Sequence, residues 1–141
     1  MKVTCQQIKH LFIKYNGLYF NSELPLCEIR VSSMYRCYGE FRCKVHEKYK
    51  RITCKRITIS DLFDYTEENL RDVLVHEMIH YYLVHKKRLF KDSFRHCPEF
   101  MQMINEFNEK FCMKMNVVQD RSYIKLLPTT SRFLFELLNI V

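Results

Sequence analysis

His76, Glu77 and His80, in the stretch Val75-His76-Glu77-Met78-Ile79-His80, carry the strongest chemical signal in this chain. On an α-helix, at about 100° per residue, His76 and His80 stand only about 40° apart and one turn along the axis, so both imidazoles reach one ion. Glu77 borders the same face. Zinc held by two such histidines and one further ligand keeps a position open for water, lowers that water's pKa towards ~7 and polarises a carbonyl. Glu77 then serves as the general base for the water proton and later delivers it to the leaving amine. Residue frequencies put a chance His-Glu-x-x-His in a chain of this length on the order of 2%. A pair of ordinary surface histidines is therefore the weaker reading, and apolar Val73, Leu74 and Met78 around the motif weaken it further.

The surrounding periodicities predict the elements that must hold these residues. Thr4 is placed to cap a first helix, with Gln7 at the capping-box position and Val3 and Ile8 as a hydrophobic staple. Ile8, Leu11, Phe12 and Tyr15 form its apolar stripe, and Gly17 is expected to stop it. After a turn over residues 21–25 the pattern becomes alternating. Ile29 and Val31 predict one strand, Phe41, Cys43 and Val45 a second, and Ile57 and Ile59 a third. The last two are expected to form a hairpin through the charged loop 46–51, with Arg30, Arg42, Lys44 and Arg56 on the face away from the helices. Thr66 predicts the cap of the motif helix, which carries Leu70, Val73, Leu74, Met78 and Tyr81 on its apolar face and ends near His85. Pro98 opens a third helix with Phe100, Met103, Ile104, Phe107 and Phe111 as its stripe, and residues 131–138 read as a short apolar helix. The fold class is α+β, a small three-stranded sheet packed on helices.

The chain has 141 residues with 48% hydrophobic content, enough for one core, so residues 1–141 are expected to form a single domain. Neither a signal-peptide core nor a membrane-length apolar run is present in the sequence. Seven cysteines, an odd number with no Cys-x-x-Cys pair, argue against a disulfide framework or a zinc ribbon and fit reduced thiols in the cytoplasm. The formal charge of +7 favours acidic partners, and its densest stretch is Arg42, Lys44, Lys48, Lys50, Arg51, Lys55 and Arg56 against the single acid Glu47. A solvated sheet face explains these cations as well as a nucleic-acid surface does.

Several stretches together resemble the SprT-like metallopeptidases, the family of bacterial SprT and the eukaryotic Spartan proteases. Tyr15-Asn16, Tyr19-Phe20-Asn21 and Leu24-Pro25 are similar to its N-terminal signature, and residues 32–39, with Arg36, to its central serine, arginine and glycine pattern. His76-Glu77-Met78-Ile79-His80 looks like its catalytic helix, and His96-Cys97-Pro98-Glu99-Phe100 resembles its His-Gly-x-x-Phe segment. The likeness covers roughly residues 4–115, leaving 116–141 as an extension. It implies a zincin-like fold, zinc ligands His76, His80 and His96, Glu77 as general base and, as in several relatives, proteolysis of DNA-bound proteins. Cys97 departs from the family glycine, and the cysteine-pair ribbon carried by many bacterial members is not found in the sequence.

Other candidates for the third ligand are His85, Glu99 and Cys97. His85 lies nine residues after His76, about 180° around a continuing helix, and should point away. Glu99 falls in the first turn after Pro98, where the helix dipole already explains an acid. A Cys97 thiolate would weaken the Lewis acidity that hydrolysis needs. The sequence thus points to a zinc endopeptidase with polypeptide as substrate and DNA as a further partner, and no membrane association. The alternatives are a DNA-binding module whose metal site does not turn over, and a metallohydrolase with a non-peptide substrate.

Overall fold

In a computed structural model, residues 2–90, 96–116 and 124–127 are described; the helix expected over 131–138 lies outside them. Thr4 opens helix α1, Cys5–Tyr19, with its hydroxyl accepting from the Gln7 N–H at 3.2 Å. Ile8, Phe12 and Tyr15 are buried along it. The expectation that Gly17 stops the helix is corrected, because the exposed glycine is simply carried within the last turn. Termination comes from Asn16. Its carbonyl takes the Phe20 and Ser22 N–H groups at 3.1 and 2.8 Å, and its side chain holds both the N–H and the carbonyl of Leu24. The reversal itself falls on Asn21 and Ser22, both with positive φ.

The three strands are β1 Glu28–Ser32, β2 Gly39–His46 and β3 Arg51–Ser60. They lie in the order β1-β3-β2, with β1 parallel and β2 antiparallel to the central β3. The expected hairpin between β2 and β3 is present, turning through a single 3-10 turn, Glu47–Tyr49, and a left-handed Lys50. Its ladder slips by one residue, since Arg42 opposes Arg56 but Lys44 opposes Thr53. Cys54, at φ 52°, takes up the extra residue as a bulge.

Helix α2, Glu67–His85, starts with a capping box in which Thr66 and Asn69 exchange side-chain to backbone bonds. Far more of it is buried than the predicted stripe, for every residue from Asp72 through Tyr81 is buried. The reason is its place in the fold: β2 and β3 pack on one side, α3 on another, and α1 on a third. Helix α3, Pro98–Phe111, has proline in its first turn and buries Phe100, Ile104 and Phe107. Asp72 ties the chain after α3 to α2, accepting from Arg71 Nε and from the Lys114 N–H, each at 3.0 Å. No disulfide joins the cysteines, and among the described residues no helix is long and apolar enough to cross a membrane.

Candidate metal centre

Helical spacing brings His76 and His80 to the same side of α2, and His96 reaches them from the segment just before α3. The ligand nitrogens of the three lie within 4.8 Å of one another. Tetrahedral zinc with Zn–N bonds near 2.0–2.1 Å needs about 3.3 Å between nitrogens, so each would move inward by roughly 0.8 Å at most. The donor set fits such an ion. Among the described residues, this is the group of histidine, cysteine and acidic side chains arranged to share one.

Phe100 holds the three rings together. Fully buried, it stacks on His80 at 4.1 Å and on His96 at 4.6 Å, and meets His76 edge-on at 4.9 Å between ring centroids. Its spacing with Ile104 and Phe107 reads as plain core in the sequence. The one available signal is its place four residues after His96.

Burial, followed by the neighbouring His80 and His96, pushes the His76 pKa down to about 3, which leaves a neutral imidazole with a lone pair free for a metal. Glu77 is raised to about 8, first by burial and then by the Glu40 carboxylate, while a hydrogen bond from the Phe41 backbone opposes the rise. Its Oε1 lies 3.9 Å from His76 Nε2. A nearby dication would favour its charged form and draw that value down again.

The site opens into a cleft of about 460 Å³ whose other wall is residues 39–43 of β2. Gly39 is buried there with an ordinary φ, and its reason is space. A Cβ would stand 3.3 Å from Glu77 Cγ, 3.2 Å from the Thr58 carbonyl oxygen and 3.1 Å from Ile59 Cδ1.

The other ligand candidates stand elsewhere. His85 packs against the Tyr81 ring at 5.8 Å, Glu99 is exposed on a separate groove between the end of α2 and α3, and Cys97 is buried at the N-cap position of α3. The seven basic residues divide into three sets. Arg42, Lys44 and Arg56 share the sheet face away from α2, where Glu40 pairs with Arg42 at 3.3 Å and Glu28 with Arg30 at 2.8 Å. Lys55 reaches to the α2 side, its Nζ 5.9 Å from the Tyr81 ring centroid. Lys48, Lys50 and Arg51 are exposed at the hairpin tip.

An α+β domain with three convergent imidazoles, a buried carboxylate beside them and an edge strand across the cleft has the parts of a metal-dependent hydrolase. Residues 8–123 match the SprT-like family, and the chain belongs to it. It is also 30% identical over 106 residues to the DNA-dependent metalloprotease dvc-1 of Caenorhabditis elegans. That match takes in 74% of this chain and spans 28% of the relative's length. No solved structure matches.

Proposed function

We propose that this chain is a zinc-dependent endopeptidase with a zincin-like site, acting on polypeptide and in particular on proteins attached to DNA. The observation that carries the reading is the convergence of His76, His80 and His96 within 4.8 Å beside the buried Glu77, in a cleft walled by β2. Zinc held by the three imidazoles would supply the Lewis acidity that activates water and polarises the scissile carbonyl. Glu77 takes the proton from the attacking water onto its carboxylate and passes it to the departing amine nitrogen. The Phe41 N–H fixes that carboxylate in place. Among the described residues β2 is an edge strand, and its outer side would hold an extended peptide as an added strand. The DNA part rests on the relative's name and on the basic hairpin. Cysteines that form no disulfide suit the reducing cytoplasm.

The test is metal analysis of purified protein together with cleavage of an unfolded protein, with and without single-stranded DNA. Wild type should bind about one zinc per chain and cut, and Glu77→Gln should keep the metal and lose the cutting. Equal cleavage by both proteins when zinc-loaded removes Glu77 from the mechanism. A DNA-binding module with a purely structural metal is the competing reading. It gives no use for a buried carboxyl beside the ligands, since burying that group costs stability.

A further inference from the structure

The hairpin tip has no part in the cleft. It lies at the end of β2 opposite Gly39, roughly 10 Å along the strand beyond Cys43, the nearest residue of the cleft wall. Its one aromatic, Tyr49, is 66% exposed. Lys48 Nζ stands 5.7 Å and Arg51 Cζ 5.6 Å from the centre of its ring. The ring covers no core, yet its backbone is well held. Lys50 is left-handed at φ 49°, and its carbonyl accepts from Arg88 Nη1, which comes from just beyond the end of α2. Lys86 and Lys87 follow α2 into the same region, and His85 feels the fields of Lys55, Lys86 and Arg88 together. Against these cations stand Glu47 on the tip itself and Glu23, which pairs with Lys86 at 3.7 Å.

We propose that this tip is a stacking platform for single-stranded DNA, with an unpaired base on the face of Tyr49 and backbone phosphates on Lys48, Lys50, Arg51 and Arg88. An aromatic ring set among cations matches a nucleotide, which offers a π-face and a phosphate side by side. In a duplex the base faces are already stacked on each other, so the tyrosine selects the unpaired strand. The inference rests on the DNA part of the reading above and names the form of DNA and its contact.

The chain contains no tryptophan, so Tyr49→Trp installs a sole indole at the point of contact. Binding is measured in the Glu77→Gln background, where the readout does not depend on turnover. An oligothymidylate of about ten nucleotides should quench the indole, and a duplex of the same length at equal saturation should not. Tyr49→Ala should lose about tenfold in affinity for the single strand and less than about twofold for the duplex, with Tyr49→Phe close to wild type. Unchanged single-strand affinity in Tyr49→Ala, equal losses for both DNA forms, or an unquenched indole at saturation overturns the proposal. If the wild type binds neither form, the whole DNA reading falls with it. Cleavage of an unfolded protein without DNA would still stand as the separate test of the peptidase.

Discussion

Phe100 touches all three imidazoles, so the site depends on how α2 and α3 pack as well as on its ligands. Replacing a group that orients metal ligands typically costs 10–100-fold in metal affinity, and removing a ligand should cost at least the upper end of that range. His96→Ala is therefore expected to lower zinc affinity by more than about a hundredfold, and Phe100→Leu by roughly tenfold, against a chromophoric chelator. His85→Ala and Cys97→Ala should stay within about threefold of wild type, because neither side chain belongs to the trio. Full affinity in His96→Ala would remove it from the site. The spacing of His76 and His80 made the first two members legible, since helix periodicity alone places both on one face. His96 was legible through its motif. Phe100 closes that same motif, but its contact with the three rings was not legible: a stripe of Phe100, Ile104 and Phe107 says that one face is buried, and not against what.

At the level of elements, the alternating patterns of Ile29/Val31, Phe41/Val45 and Ile57/Ile59 gave the strands and their inner faces. Alternation does not say which strands are neighbours, so the central place of β3 and the edge place of β2 came only with the structure. The edge place matters because it sets β2 against Glu77, where Gly39 leaves no room for a side chain. A methyl group there meets the Thr58 backbone and the Glu77 side chain at once. Gly39→Ala should cut the rate of peptide hydrolysis roughly ten- to hundredfold by displacing Glu77. Overpacking at the same point should destabilise the fold by about 1–3 kcal/mol in urea. Zinc content should be unchanged, which separates this variant from loss of a ligand. Wild-type hydrolysis in Gly39→Ala would show that the carboxylate has room to give way. The bulge at Cys54 was equally hidden, and it puts Thr53 beside Lys44 on the face that Arg56 shares with Arg42.

Across the whole molecule, α2 serves as a shared wall. The Asn16 amide holds the buried Leu24 by both backbone groups, and one residue later the Pro25 carbonyl accepts from Tyr81 on the metal-site helix at 2.9 Å. Tyr81 also stacks on Phe41 of β2, with ring centroids 5.2 Å apart. The Asn16 and Leu24-Pro25 signature is thus a clamp between the turn after α1 and the helix that carries His76 and His80. Asn16→Ala leaves the Leu24 N–H and carbonyl buried without these partners, which should cost roughly 2–3 kcal/mol in urea denaturation. Hydrolysis per folded molecule should change little, since Asn16 lies outside the cleft. A variant as stable as wild type would mean that water replaces the amide at no cost. Such a wall also governs how the sequence is free to drift. In α3, buried Phe100, Ile104 and Phe107 alternate with exposed positions, so neutral substitutions can accumulate between constrained ones. From Asp72 through Tyr81 there are no such gaps. That segment is expected to tolerate substitution poorly along its whole length, whereas the exposed outer face of α3 leaves room for it.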